Sequence, residues 1–389
     1  MPIHAGGKMK RKVICLLLVC VVMTGLFAGR AAFAEETVES TSRAALLMDS
    51  GTGTVIYEKD PEKRLQIASM VKIMTLNVIF DEIDAGNLSY DEMIVASDNA
   101  ASMGGSQAFL DAGSEYKASE LIKSIIVASA NDSCVAMAER ISGSVPAFVE
   151  RMNATAAEYG MENTYFVNCT GLPAPNQYSC ASDVAVMTRE LKKHNDFFEF
   201  AGVWMFDFVH PGGRVTGLSN TNKLVRFYKG CDGGKTGFTS EALSCLSATA
   251  KRGDTRLICV VIGAENSKAR NAEVSELFNY GFANYESRTV IAEGEIVDES
   301  IAVSGGKKDT ICGVAKSNVS IFCKKGSLQN IEKELHLDKV SAPVRKGDKI
   351  GEIRIMLNGE ETGQTDILAN EDVMTKNYRD FVDDIVEKW

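Results

Sequence analysis

Two short apolar runs, Ala44–Met48 and Thr54–Tyr57, flank Asp49-Ser50-Gly51-Thr52-Gly53, and this pattern predicts a β-hairpin. From Ser69 the period changes. Val71, Met74, Val78, Ile79 and Ile83 recur every three to four residues, which predicts a helix. Further helices are expected over about Ala118–Ser129, Asp132–Ile141, Val145–Tyr159 and Ala181–His194. Ser144 reads as the cap of the Val145 helix, with Pro146 in its first turn. Beyond Gly230 the texture turns to strands. Leu243–Ala248 and Leu257–Ile262 form a second predicted hairpin about Lys251-Arg252-Gly253-Asp254, and Lys268–Tyr285 reads as a helix. Strands at both ends and helices in the middle suit one α+β domain over 40–286. Its terminal segments would meet in one antiparallel sheet.

Residues 286–289 read as a linker, and 290–372 as a small all-β domain. Ile353, Ile355 and Leu357 alternate with Arg354 and Met356, and Asn358-Gly359 is a two-residue hairpin signal. In the tail, 374–389, residues Tyr378, Phe381, Val382, Ile385, Val386 and Trp389 share one helical face. Such a helix can lie in a membrane interface or dock on its own protein. Its polar face is acidic, which does not help it approach anionic lipid.

The first segment is a targeting signal by pattern. Lys8, Lys10, Arg11 and Lys12 precede the uncharged stretch Val13–Gly29, and Ala32-Phe33-Ala34 is an A-x-A site. A signal peptide over 1–34, cut between Ala34 and Glu35, is expected; an uncleaved anchor is the other reading. The net charge is -10, and losing the five basic and no acidic residues of 1–34 makes it -15. That balance excludes a nucleic-acid partner. Eight of ten cysteines follow the signal, with no C-x-x-C among them, so zinc and thioredoxin chemistry lack support. Export permits disulfides, but buried free thiols acting as small apolar residues are the plainer reading.

Three short motifs carry the chemistry. Ser69-Met70-Val71-Lys72 comes first, Ser129-Ala130-Asn131 second and Lys235-Thr236-Gly237 third. Alone each is weak: Ser304-Gly305-Gly306-Lys307 also fits S-x-x-K, and Ser97-Asp98-Asn99 also fits S-x-N. The ordered trio has force. Ser69 at a helix start has its backbone N–H at the positive helix end, suited to an oxyanion. Lys72 lies one turn on, on the same face. A serine nucleophile needs a base, and lysine serves only if burial or a second cation lowers its pKa; Lys235 is a candidate for that cation. Ser129, between two helices, can relay a proton, and the Asn131 amide can hold a substrate backbone group. Plain N-capping by Asn131 or Asp132 is the alternative there. Lys235 and Thr236 can bind a carboxylate, Gly237 allows close approach to the strand, and the Phe238 N–H is a candidate second oxyanion donor. For an isolated K-T-G, a solvated surface lysine would be the default.

The chain resembles the low-molecular-mass penicillin-binding proteins that are serine-type D-alanyl-D-alanine carboxypeptidases. The trio carries the likeness, together with Ala100–Ser106, Tyr165-Phe166-Val167-Asn168, Thr170-Gly171-Leu172, Tyr178–Asp183 and Asp232–Thr239. Met103–Gln107 and Asn220–Leu224 look most like enzymes of Gram-positive spore formers. The resemblance implies a penicillin-binding/β-lactamase-like fold, with helices on both sides of the sheet and an inserted helical subdomain. It implies Ser69 as nucleophile, Lys72 as base, and supporting roles for Ser129, Asn131, Lys235 and Thr236. It also implies cleavage of a peptidoglycan stem peptide ending in D-Ala-D-Ala, no metal or organic cofactor, and β-lactam antibiotics as covalent inhibitors. The 290–372 domain would be a spacer and the tail an anchor on the outer face of the cytoplasmic membrane. Three positions depart from the pattern: Ala130 replaces a common glycine, Phe238 stands where many relatives carry histidine, and the tail is acidic. A serine β-lactamase and a non-catalytic β-lactam-sensing or wall-binding protein are the rival readings.

Overall fold

A computed structural model describes residues 38–327, 330–380 and 382. The expected signal peptide, 1–34, lies outside them. A five-stranded antiparallel sheet runs in the order Val55–Lys59, Ala44–Asp49, Thr255–Ala264, Leu243–Arg252, Cys231–Thr239. The first two strands are the predicted N-terminal hairpin, and the last three come from beyond Gly230. The terminal segments of the region therefore meet in one sheet, as the pattern predicts.

Ala44–Asp49 is buried at every position, because both faces of the sheet are covered. Leu46, Met48, Ile258, Val260 and Ile262 join the core formed with Ile73, Leu76, Val184 and Met187 of two helices, Lys72–Asp84 and Ala181–Leu191. Leu47 and Leu257 face the opposite way, toward the helix Ser267–Asn284. A side chain at Gly281 of that helix would lie 2.5 Å from Leu257 Cδ1 and 3.1 Å from Leu47 Cδ2. Each such fully buried leucine or isoleucine contributes roughly 2 kcal/mol, so the sheet is a stiff base for the site at its edge.

Helix boundaries fall within a few residues of expectation: Ala118–Ala128, Asn131–Ser142, Val145–Glu158, Ala181–Leu191 and Ser267–Asn284. Ser144 caps the Val145 helix by accepting from Ala147 N. Asp132 does not cap. The helix begins one residue earlier, at Asn131, with Ala130 at the cap position. The Asp132 carboxylate instead accepts from Ala108 N and Leu110 N, fastening the 108–110 loop.

The expected linker over 286–289 is a strand. Tyr285–Ile291 continues directly from the helix and pairs antiparallel with Val319–Lys324. A nonlocal partner recruits residues whose local sequence carries little strand signal. The rest of the C-terminal region is a six-stranded sheet. Its hairpin Lys349–Leu357/Glu360–Ala369 turns at Asn358 and Gly359, with φ of 54° and 84°, and Ile353 and Ile355 are buried. Of the tail, only 374–380 and 382 are described, with helical backbone beginning at Tyr378 rather than Thr375.

Candidate active site

Ser69 lies in a short 3-10 turn, Ala68–Val71, directly before the Lys72 helix. The turn is tightly confined. Ala68 has φ of 47°, a conformation non-glycine residues rarely adopt. A Cβ at Gly171 would lie 2.1 Å from Ala68 O, and one at Gly237 would lie 2.5 Å from Ile67 O. Two glycines from distant segments thus press on the turn from outside. The close approach at Gly237 is made by the protein's own Ile67–Ser69 segment.

Lys72 is fully buried. Its Nζ lies 3.2 Å from Ser69 Oγ, 2.6 Å from Asn131 Oδ1 and 2.5 Å from Thr170 O. Asn131 Nδ2 donates to Gly104 O at 2.7 Å, which fixes the amide with its oxygen toward Lys72. Burial pushes the Lys72 pKa below the ordinary lysine value. The neighbouring thiols do not offset this: burial raises Cys134 to about 11 and Cys169 further, so neither carries negative charge at neutral pH. A neutral amine has two N–H donors and one lone pair. Two carbonyl oxygens and the Ser69 hydroxyl surround the nitrogen, so loss of one proton would turn its lone pair toward that hydroxyl.

Ser129 ends the helix Ala118–Ala128 with φ of 65°, and Ala130 turns the chain straight into the next helix. The two-residue junction holds Ser129 Oγ buried, and among the described residues it has no hydrogen-bond partner. Lys235 is also buried, and among the described residues its Nζ donates only to the adjacent Thr236 carbonyl, at 3.1 Å. Burial pushes its pKa well below the ordinary value, and the charges of Lys72 and Arg270 push the same way. Thr236 Oγ1 donates to Thr221 Oγ1 at 2.8 Å. Phe238 is 68% exposed at the sheet edge.

The structure thus brings Ser69, Lys72 and Asn131 into direct contact, sets Gly237 against the Ser69 turn, and places Lys235 close enough to Lys72 for their charges to interact. The two decoys lie elsewhere: Ser97 caps a one-turn helix, accepting from Ala100 N, and Ser304 ends a strand of the C-terminal region. Three contributors were given no role in the sequence reading, although Asn168 and Asn222 lie in segments that carry the likeness. Asn168 Oδ1 accepts from Thr170 N and Gly171 N, shaping the loop that meets Lys72. Asn222 Nδ2 donates to Gly233 O and braces the K-T-G strand. Arg270 is buried and donates to Cys245 O, opposite Gly237 in the sheet register.

Sheet, inserted helices and a buried lysine beside a serine are the attributes of the penicillin-binding proteins. Residues 31–266 match the family described as D-alanyl-D-alanine carboxypeptidase, and 285–375 match the C-terminal domain of penicillin-binding protein 5. The chain belongs to the D-alanyl-D-alanine carboxypeptidase family. It is 38% identical to the D-alanyl-D-alanine carboxypeptidase DacF of Bacillus subtilis over 98% of this chain and 99% of that one. It is 33% identical to DacC of Escherichia coli, covering 90% and 89%. The crystal structure of penicillin-binding protein 5 from Haemophilus influenzae superposes with a TM-score of 0.70 at 30% identity, covering 86% of this chain and 98% of that one. Among the described residues, no helix is long and apolar enough to cross a membrane.

Proposed function

We propose that the carboxypeptidase reaction runs through an acyl-enzyme on Ser69, with Lys72 as the base. Ser69 Oγ attacks the carbonyl carbon of the penultimate D-alanine, and its proton passes to Lys72 Nζ. The backbone N–H groups of Ser69 and Phe238 hold the oxyanion. The proton reaches the leaving amine through Ser129 Oγ, terminal D-alanine departs, and water resolves the ester. Lys235 and Thr236 bind the substrate's terminal carboxylate. Asn131 holds both Lys72 and the stem-peptide backbone, which lies along the outermost strand, Cys231–Thr239. β-Lactams acylate the same serine.

One observation carries this reading: the Lys72 amine meets two carbonyl acceptors and the Ser69 hydroxyl within 3.2 Å, in full burial. The test is Lys72→Ala, assayed for acylation by benzylpenicillin and for D-alanine release from a pentapeptide. The reading requires loss of both with the fold retained; acylation at the wild-type rate removes Lys72 from the role of base.

Around this core we place a cleaved signal peptide over 1–34, a catalytic domain over 40–286, a β-rich spacer over 290–372 and a peripheral membrane anchor over 374–389. The A-x-A site and the amphipathic tail support extracytoplasmic placement. Removing 374–389 should release the protein from membrane fractions; unchanged membrane retention would refute the anchor.

A further inference from the structure

Away from Ser69, a cleft of about 420 Å³ separates the five-stranded sheet region from the C-terminal strands. That volume lies in the range of small-ligand sites. Gly51 and Thr52 of the first hairpin turn and Lys192, next after the helix Ala181–Leu191, form one wall. Asn318, Ser320 and Gln364 are on the other.

The charges on the first wall are unevenly satisfied. Arg189 donates to Ser50 O and Gly51 O. Arg256 pairs with Asp232 at 2.7 Å. Asp49, whose charge acts on Lys192, is already occupied: Oδ1 accepts from Ser287 Oγ, and Oδ2 from Thr52 N and Oγ1. Lys192 is half-buried and, among the described residues, has neither a carboxylate nor a hydrogen-bond acceptor. Burial and the charges of Arg189 and Arg256 lower its pKa. Its next neighbour, Lys193, is exposed and paired with Glu190. A half-buried ammonium with no anion is unfavourable by itself. The facing wall offers amide donors: Asn318 Oδ1 accepts from Glu293 N, leaving its NH₂ free to donate outward, and Gln364 supplies a second amide.

We propose that this cleft is a second ligand site, binding an oxyanion group (phosphate or carboxylate) carried on a polar, hydroxyl-rich body, with Lys192 as its counter-charge. The ligand would bridge the two walls. The site is independent of the chemistry at Ser69.

The test is isothermal titration of the full chain with inorganic phosphate and, separately, with a muramyl dipeptide that carries a free carboxylate. We expect saturable binding of at least one probe, weakened about tenfold or more in Lys192→Met, retained in Lys192→Arg and unchanged in Lys193→Met. Asn318→Ala, on the other wall, should weaken it several-fold. Phosphate binding alone assigns a phosphate-bearing ligand, and dipeptide binding alone a carboxylate-bearing one. An unchanged rate of benzylpenicillin acylation in Lys192→Met shows that the fold is intact. Absence of saturable binding by either probe, or equal binding by Lys192→Met, overturns the proposal.

Discussion

The polar groups of the three motifs differ in how far the chain satisfies them. On the Lys72 side every hydrogen-bonding position of the amine has a partner supplied by the chain. By contrast, among the described residues, Ser129 Oγ is buried with no partner, and Lys235 reaches only the neighbouring carbonyl. Buried polar groups without partners cost stability. Under the proposed mechanism, the chain itself sets Lys72 in place, while Ser129 and Lys235 are left to meet a ligand. The same asymmetry recurs in the distant cleft, where Lys192 lacks the partners that Arg189 and Arg256 have.

The comparison can be broken most forcefully at Lys72. Lys72→Ala should slow acylation by about 10³-fold or more, the scale of a lost general base, as read by the rate of penicillin adduct formation. The acylation rate of the wild type should rise with pH through a pKa below the ordinary lysine value of about 10.4, because the depressed pKa frees the lone pair. A rate that is flat up to that value would contradict a lowered Lys72.

Next is the turn itself. Gly171→Ala combines φ of 81° with a Cβ 2.1 Å from Ala68 O and should cost about 3 kcal/mol as well as displacing Ser69. Gly86 has a similar φ, 75°, with nothing within 4 Å, so Gly86→Ala should cost only about 1 kcal/mol. Chemical denaturation of the pair isolates the clash. Equal losses would mean that Gly171 matters for its backbone angle alone.

At the unsatisfied groups the effects should separate activity from stability. Ser129→Ala should reduce acylation about 100-fold while leaving the midpoint of thermal unfolding unchanged or higher, since it removes an orphaned hydroxyl. Lys235→Met should weaken substrate capture and raise stability by about 1 kcal/mol near neutral pH. The sign follows from linkage. With a folded pKa far below that of the unfolded chain, the native state binds fewer protons, so stability rises with pH until about 10.4. The advantage of Lys235→Met should therefore shrink as pH climbs toward that value. A destabilised Lys235→Met would show that the ammonium is satisfied after all.

Much of this was legible because the decisive signals are local. Asn358-Gly359 dictates its own turn, the runs at Ala44 and Leu257 predict strands, and Ser69, Lys72 and Asn131, from two of the three motifs, meet in the fold. What sequence reading missed depends on contacts made across the fold. Tyr285–Ile291 becomes a strand only because Val319–Lys324 lies beside it. Asn168 and Asn222 shape the site through loop carbonyls and amides that no spacing announces. Arg270, on a helix behind the sheet, meets the site only through Cys245, opposite Gly237. Asp132 looked like a cap because Asp favours that position, yet the helix starts one residue sooner and its carboxylate serves another loop.

The most direct measurement is mass spectrometry of the purified protein after incubation with benzylpenicillin and, separately, with a peptide ending in D-Ala-D-Ala. The account predicts a slow-clearing adduct on Ser69, D-alanine released from the peptide, and loss of both in Ser69→Ala. Release of D-alanine by Ser69→Ala, or an adduct mapped to another residue, would contradict it.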